Sequence, residues 1–351
     1  MLPNDILLCI ALQISSGNAW KSWVQVCKFN YHLSITTLAY KRYEVYNQLL
    51  SLLKLYPDKP WRWNMLSGNP NITMNYVNAN LDKPWDWYEL SCNPNITIDD
   101  AKATPETYRW NWNGLSCNPN ITIDDVYANP DTNCRRWNWN KLSVNPNITI
   151  DHVLANPDKP WNWSELSRNS NIAMDHVKAN PNKPWDWDML SRNPNITMEH
   201  VKANPDKPWN WAELSSNPNI TMDHVNANPD TDGRRWNWFN LSRNSSITMD
   251  HVKANPDPYS WTWDWYALSC NPNITIDDVK ANPKKPWNWG ELSGNPNITM
   301  DDVKAHPKKP WHWGELSRNP NITMDDVKAH PKRRWNWGGL SGNKFLPKAR
   351  K

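Results

Sequence analysis

Paired tryptophans recur along this chain at a nearly constant interval. Twelve W-x-W pairs follow one another in steps of 24 residues, apart from one step of 25 and three of 27. The pairs begin at Trp61, Trp85, Trp110, Trp137, Trp161, Trp185, Trp209, Trp236, Trp263, Trp287, Trp311 and Trp335. A fixed period of about 20 to 50 residues is typical of solenoids and propellers, whose units contact mainly their neighbours. We therefore expect a stack of small, similar units.

Each unit contains two segments that favour short helices. In the second segment, Thr299 is placed as a helix N-cap, with Asp301 and Asp302 in the first turn. The Asn or His before the next Pro is expected to end this helix in the left-handed conformation. In the first segment, Pro286 stands where a first helical residue is tolerated.

Helical spacing also separates the two tryptophans of a pair. Two residues apart on a helix, they would point in nearly opposite directions. We expect one ring to face the core of its own unit and the other to pack between units. No unit has the alternating strand pattern of a propeller blade. The predicted fold is all-α, an α-solenoid of about twelve 24-residue units with two short helices (α or 3₁₀) each, plus an N-terminal helical head.

The L-S-x-N-P-N-I-T stretch, such as Leu292 to Thr299, resembles the leucine-rich repeat variant family. This resemblance implies a right-handed superhelix of paired short helices. With neighbouring helices about 9 Å apart, twelve units predict a rod on the order of 100 Å long. Arrays rich in Trp and Asn also resemble uncharacterised repeat proteins of large DNA viruses.

The chain divides into a head (residues 1–56), the repeats (57–343) and a basic tail (344–351). The head contains an apolar segment, Leu38 to Leu55, which is expected to form a helix covering the end of the stack. The start of the head, L-P-N-D-I-L, and its V-C-K-F-N-Y stretch resemble an F-box. That resemblance implies docking on a Skp-type adaptor of a cullin ubiquitin ligase through matching positions, which are Leu2, Pro3, Ile6, Leu7, Val26 and Cys27.

All four length changes fall in one loop, between the Pro that ends the second helix and the next tryptophan pair. Insertions on one face of a repeat array often mark its binding surface. Aromatic and Arg residues dominate protein interfaces. We therefore expect a protein partner to contact the loop residues Arg135, Arg136, Arg234, Arg235, Tyr259 and Trp261.

Other features of the repeat favour structural roles. His152, His176, His200, His224 and His251 share one helix position, which other units fill with Asp. We interpret that position as pairing with the helix start rather than binding a metal. Lys or Arg two residues before most tryptophan pairs can make cation–π contacts. The six cysteines lack metal-ligand spacing, and we expect them to be reduced. No cofactor and no catalytic motif is predicted.

These observations predict a protein-interaction protein, an F-box substrate adaptor whose repeats recruit an unknown protein substrate. The alternatives are a scaffold with no role in ubiquitin transfer and a nucleic-acid-binding array. Net charge is +4, but residues 276–351 alone hold 15 basic and 8 acidic residues, which leaves −3 for the rest of the chain. A continuous basic groove for nucleic acid is therefore not expected. The sequence has no apolar stretch of membrane-spanning length, so we expect an intracellular, cytoplasmic protein, in a host cell if viral.

Overall fold

The computed structural model describes residues 47–103, 110–132, 136–228, 235–255 and 263–345. These residues form 24 short helices and no β-strand, which confirms the predicted all-helical solenoid. The helices alternate between two kinds. The A helices follow the tryptophan pairs and are α2 (Trp63–Ser67), α4 (Trp87–Cys92), α6 (Trp112–Cys117), α8 (Trp139–Val144), α10 (Trp163–Ser167), α12 (Trp187–Arg192), α14 (Trp211–Leu214), α16 (Trp238–Arg243), α18 (Trp265–Cys270), α20 (Trp289–Gly294), α22 (Trp313–Leu316) and α24 (Trp337–Gly342).

The B helices follow the N-P-N-I-T stretch. They are α3 (Met74–Asn78), α5 (Ile98–Ala103), α7 (Ile123–Ala128), α9 (Ile150–Leu154), α11 (Met174–Ala179), α13 (Met198–Lys202), α15 (Met222–Ala227), α17 (Met249–Ala254), α19 (Ile276–Ala281), α21 (Met300–Ala305) and α23 (Met324–Ala329). One further helix, α1 (Gln48–Leu55), precedes the first unit. Isolated helices of this length are unstable in water, so packing between units must stabilise them.

The A helix starts later than the sequence suggested. Its N-cap is the residue between the two tryptophans, as at Asn288, whose side chain accepts a hydrogen bond from the Glu291 N–H (3.0 Å). The prediction that the helix begins at Pro286 is therefore wrong. A polar residue between the tryptophans can satisfy a free N–H of the first turn, which Pro286 cannot do.

The B helix has the predicted N-cap and a different end. The Thr299 hydroxyl accepts from the Asp302 N–H (3.4 Å), and the Asp302 carboxylate accepts from the Thr299 N–H (2.8 Å). At the other end, Asn282 has φ −126° and is not left-handed. Its side-chain amide donates instead to the Asp278 carbonyl (2.9 Å). The left-handed ending is therefore wrong, because the Asn side chain satisfies the last turn.

The core runs continuously through the array. Most units contribute the Leu of L-S, the Ile of N-I-T and the Val of the B helix, as in Leu190, Ile196 and Val201, all 5% exposed or less. Apart from the tryptophans, these aliphatic side chains make up most of a single cluster that joins all the described units. Burial of this surface by neighbours is what holds the helix pairs together.

Buried polar side chains connect each unit to the preceding one. The Ser167 hydroxyl donates to the Trp163 carbonyl (2.7 Å) and accepts from the Asp186 N–H of the next unit (2.9 Å). The Asn193 amide donates to the carbonyls of Ser167 (2.8 Å) and Asn169 (3.0 Å). Because these groups are buried, each needs its partner, which explains why Ser and Asn recur in every unit.

Both tryptophans of each pair lie at the joint between units. The Trp185 Nε1–H donates to the Asn180 carbonyl at the end of the preceding B helix (2.9 Å). Its ring packs edge-on against Trp163 of the preceding unit, with centroids 4.9 Å apart. The expected division between a core-facing and an inter-unit tryptophan is wrong. The first tryptophan precedes the helix, so helical rotation does not separate the two rings.

The two ends of the array meet. The Asn69 amide of the first unit donates to the carbonyls of Ser341 (2.8 Å) and Asn343 (3.0 Å) in the twelfth. The Arg62 N–H donates to the Ser341 hydroxyl (3.0 Å). These are the bonds that Asn193 and Asp186 make at an interior joint. The predicted rod is therefore wrong, and the twelve units form a closed ring.

Helix α1 completes this ring. The twelfth unit has an A helix, α24, and no B helix among the described residues. Helix α1 takes the vacant position, packing against α23, and the Met324 N–H donates to the Gln48 side chain (2.9 Å). The helix predicted over Leu38 to Leu55 begins at Gln48, with Asn47 as its N-cap, and residues 38–46 lie outside the described part. It joins the last unit to the first instead of covering a free end.

The A helices form the inner layer of the ring. Neighbouring A helices pack closely against one another, whereas most neighbouring B helices are further apart. In a closed ring the more tightly spaced layer has the smaller circumference. For twelve helices about 9 Å apart, the axes lie on a circle of about 17 Å radius, which leaves an opening of roughly 25 Å after the width of the helices is subtracted.

Candidate interaction surface

Three positions of the A helix carry most of the variation among the units. They are the two residues after the second tryptophan and the residue after Leu-Ser, and we call them the inner variable positions. They hold seven, six and five residue types, whereas the Trp, Leu and Ser around them never change. Every side chain at these positions other than Gly or Ala is at least partly exposed. Packing therefore does not dictate their identity.

The outer layer varies less. The exposed position after the B-helix Val (or Ala101) is Lys in seven of eleven units, and the exceptions include Tyr127 and Leu154. Several of these lysines pair with an acidic residue one turn earlier, as Lys280 does with Asp277 (3.0 Å). Exposed pairs of this kind contribute little to stability. The outer layer, which the B helices form, therefore has the character of a solvated surface.

The exposed large hydrophobic side chains of the inner layer lie in units 8 and 9. Phe239 is 41% exposed and Tyr266 is 46% exposed. The Arg243 guanidinium lies 5.9 Å from the centroid of the Phe239 ring. The Tyr266 hydroxyl donates to the Glu291 carboxylate (2.7 Å). Aromatic and Arg side chains fixed in this way have the composition of an interface anchor.

Hydrogen bonds also fix the charge at this place. Bonds from the Cys270 thiol and the Tyr266 hydroxyl, together with the nearby Arg243, hold the pKa of Glu291 below its usual range. The carboxylate is therefore ionised at neutral pH and keeps the tyrosine oriented. The ring of Tyr266 is held in place before any partner arrives.

Charges of both signs alternate around the inner layer. Arg192 forms an ion pair with Glu213 of the next unit, and Arg168 pairs with Glu165 within its own helix. The inner variable positions hold six acidic residues (Glu89, Glu165, Asp188, Glu213, Glu291 and Glu315) and five basic ones (Lys141, Arg168, Arg192, Arg243 and Arg318). Such a nearly neutral surface lacks the positive field that attracts a nucleic-acid backbone.

One of the predicted loop residues adjoins this inner layer. An open depression of about 560 Å³ lies between units 6 and 7, and its lining includes Arg235, Asp188, Asn210 and Ala212. Asp188 and Ala212 are inner variable positions. The edge of the ring that carries the inserted loops is thus continuous here with the inner face.

The other predicted loop residues are only partly placed. Arg136 is exposed like Arg235, but it belongs to unit 4, four units away from Arg235, so the structure does not bring the two together. Arg135, Arg234, Tyr259 and Trp261 lie outside the described residues. The F-box-like positions Leu2, Pro3, Ile6, Leu7, Val26 and Cys27 also lie outside them. Their docking role stays a prediction.

The histidine positions have the structural role that the sequence indicated. The ring Nδ1 of His200 accepts from the Thr197 N–H (3.2 Å), and that of His251 accepts from the Thr248 N–H (3.1 Å). In other units Asp makes the same bond. Among the residues that the structure describes, no group of three or more His, Cys, Asp or Glu side chains is arranged to hold a metal ion.

The predicted cation–π contacts are confirmed for most of the Lys and Arg residues that the structure describes. The Lys183 ammonium lies 5.3 Å from the centroid of Trp163 in the preceding unit. Lys59 makes the same contact across the closing joint, 5.6 Å from Trp337. The cations that precede the tryptophan pairs therefore cover the second tryptophan of the neighbouring unit.

Sequence reasoning missed the inner variable positions and one thiol pair. The signal for both was present, because lining up the twelve units shows which positions vary and that Cys92 and Cys117 occupy the same position in consecutive units. What the alignment of units could not show was which side of the array faces inward. That depends on ring closure.

Comparisons with known proteins add no relative. The chain matches no family model, no curated protein and no solved structure. None of the helices in the described segments is long and apolar enough to span a bilayer. The function of this chain must therefore be inferred from the surface of the ring itself.

Proposed function

We propose that this chain is a protein-interaction protein that recruits a protein substrate to a cullin-type ubiquitin ligase. In this proposal the ring binds the substrate, and the F-box-like head, with Leu7 in its first motif, binds a Skp-type adaptor. The observation that carries the substrate-binding part is the concentration of side-chain variation at the inner variable positions. In a repeat array, invariant positions maintain the fold and variable exposed ones are free to fit a partner.

The dimensions of the ring support a protein partner. An opening of roughly 25 Å is wider than an α-helix, which is about 10 to 12 Å across with its side chains. A helix or loop of a folded protein can therefore reach the inner layer. The near balance of acidic and basic residues there favours a protein over a nucleic acid, and the exposed Phe239 and Tyr266 offer apolar area for it to bury.

The adaptor part is tested with the whole protein. Purified full-length chain is mixed with a Skp-type adaptor, and binding is measured by calorimetry beside a Leu7→Asp variant. We expect binding that Leu7→Asp abolishes, since a buried carboxylate is unfavourable in an apolar interface. No binding by the full-length chain, or equal binding by the variant, would refute the ubiquitin-ligase role and leave a scaffold function.

The substrate part is tested with a matched pair of exposed tyrosines. Tyr266 is 46% exposed on the inner layer, and Tyr127 is 47% exposed on the outer layer. Proteins cross-linked to the full-length chain in cell extract are identified, and their affinities for Tyr266→Ser and Tyr127→Ser are compared. We expect at least tenfold weaker binding for Tyr266→Ser alone, which corresponds to about 1.4 kcal/mol. Equal affinities of the two variants would show that the partner does not bind at this place.

A further inference from the structure

Two cysteine thiols meet on the inner layer at the joint between units 2 and 3. Cys92 ends α4, Cys117 ends α6, and both follow Leu-Ser in their units. The two thiols are neighbours, since each one perturbs the pKa of the other, and both side chains are partly exposed. Cys270 has the same position in unit 9, but its neighbours in the adjacent units are Arg243 and Gly294. Among the described units, only the α4–α6 joint pairs two cysteines.

A glycine brings these two helices together. A Cβ atom at Gly114 would lie 2.7 Å from the Tyr88 carbonyl oxygen, 2.8 Å from the Ser91 Cβ and 3.4 Å from the Cys92 sulfur. Most units have a larger side chain at this position, and α4 and α6 are the most closely packed neighbouring A helices. Without a Cβ at residue 114, the α6 backbone can lie directly against α4, and this places Cys117 beside Cys92.

The surroundings make the two thiols chemically different. The hydrogen bond with Cys117, burial and the nearby Glu89 raise the pKa of Cys92. The hydrogen bond from Cys92 lowers the pKa of Cys117 to about 7, with further help from the Lys141 ammonium and against the effect of burial. The neighbouring Cys92, burial and Cys117 raise the pKa of Tyr88. The thiolate of the pair therefore forms on Cys117 near neutral pH, while Cys92 stays a thiol.

We propose that Cys92 and Cys117 form a redox-active dithiol site that a low-molecular-weight disulfide oxidises to an intramolecular disulfide between α4 and α6. The arrangement has the three parts such a site needs. There is a partly exposed attacking sulfur, a second sulfur beside it, and a nearby Lys141 ammonium that stabilises the thiolate. Oxidation would link two neighbouring units of the ring covalently.

The reaction takes place in two balanced exchange steps. The Cys117 thiolate attacks one sulfur of glutathione disulfide, which forms a mixed disulfide and releases one glutathione thiolate. Cys92 then loses its proton to solvent and attacks the Cys117 sulfur, which releases the second glutathione thiolate. Two protein thiols are oxidised to one disulfide, and one glutathione disulfide is reduced to two thiols.

Cys270 provides a control within the same molecule. Burial and the hydrogen bond to Glu291 raise its pKa to about 12. At pH 7 about half of Cys117 is thiolate, compared with roughly one molecule in 10⁵ for Cys270. Since nucleophilicity falls as pKa falls, the expected rate ratio is smaller, on the order of 10² to 10³ in favour of Cys117.

The test treats the reduced full-length protein with glutathione disulfide at pH 7, blocks the remaining thiols with N-ethylmaleimide and maps the peptides by mass spectrometry. We expect a Cys92–Cys117 disulfide while Cys270 stays reduced. In Cys92→Ser the reaction should stop at a glutathione adduct on Cys117, because the second attack is removed. Reaction at Cys117 should level off above pH 7, whereas reaction at Cys270 should still rise at pH 9.

A glycine pair tests the packing argument. Gly114→Ala should push α6 away from α4 and slow disulfide formation at least tenfold. Gly294→Ala is the control. A Cβ at Gly294 meets nothing closer than 3.8 Å, so this substitution should leave the rate of disulfide formation unchanged. If circular dichroism shows that Gly114→Ala does not fold, the Cys92→Ser result still decides. Absence of the Cys92–Cys117 link, or equal reactivity of Cys117 and Cys270, would overturn the proposal.

Discussion

Replacing Asn69 by Ala tests whether the joint between the last and first units is equivalent to an interior joint. Asn69 is 2% exposed, and its amide donates to the Ser341 and Asn343 carbonyls of the twelfth unit. Its side-chain oxygen accepts from the Asn71 N–H (2.9 Å). Asn193 is 1% exposed and makes the corresponding bonds at an interior joint, so Asn193→Ala is the matched control.

The size of the effect follows from the bonds that are lost. Each variant removes two bonds to the preceding unit and one within its own, and leaves their buried partners unsatisfied; Asn193→Ala also removes a longer bond to the Ile172 carbonyl (3.3 Å). At about 0.5 to 1.5 kcal/mol for each bond, both variants should lower the free energy of unfolding by about 2 to 4 kcal/mol. If the ends did not meet, Asn69 would keep only the bond to Asn71, and its loss would cost about 1 kcal/mol.

Urea titration followed by circular dichroism measures both variants beside the unchanged protein. Because long repeat arrays can unfold in stages, hydrogen exchange of the joint supplies a second, local readout. In Asn69→Ala, exchange should accelerate in peptides from residues 61–68 and 335–345, and in Asn193→Ala at the corresponding interior joint. If Asn193→Ala destabilises the protein as expected but Asn69→Ala has an effect of less than about 1 kcal/mol with no local acceleration, the reasoning fails.

Two further substitutions test the account of the repeat. Ala173 stands at a B-helix N-cap that is Thr in every other unit, so Ala173→Thr should raise the free energy of unfolding by about 0.5 to 2 kcal/mol in the same urea titration; no gain would show that the hydroxyl does not act as a cap. Lys183→Ala and Lys59→Ala should each lower it by about 0.5 to 1 kcal/mol through lost cation–π contacts with Trp163 and Trp337. A loss for Lys183→Ala with none for Lys59→Ala would show that the closing joint differs from the interior ones.

The sequence predicted the parts of the fold that depend on neighbouring residues. The repeat period follows from the recurrence of the tryptophan pairs. The Thr299 cap and the pairing of His or Asp with the helix start follow from local hydrogen-bond chemistry, and both are confirmed. The start of the A helix was misplaced because Pro286 and the polar residue two positions later both fit a helix N-terminus. Choosing between them required the tryptophan packing, which involves the neighbouring unit.

Ring closure could not be predicted from the unit alone. It depends on the small rotation between successive units, which local sequence patterns do not report. One trace of it lies in the chain, because the described part of the twelfth unit has no B helix while an apolar segment containing Leu49, Leu50, Leu52 and Leu53 precedes the first unit. The candidate surface depended on closure in turn, since closure places the A helices on the inside of the ring. The F-box-like positions of the head lie outside the described part, so the adaptor prediction stays untested.

Cross-linking of the native protein tests ring closure most directly. In the ring, the exposed Lys332 and Lys59 are one unit apart, as are Lys59 and Lys83. Monomeric protein is treated with an amine-reactive cross-linker of about 11 Å, and mixed ¹⁴N and ¹⁵N samples identify links between molecules. A closed ring predicts links between Lys59 and Lys332 within one molecule, at a yield similar to those between Lys59 and Lys83. Abundant Lys59–Lys83 links without any Lys59–Lys332 link within one molecule would show that the array is open.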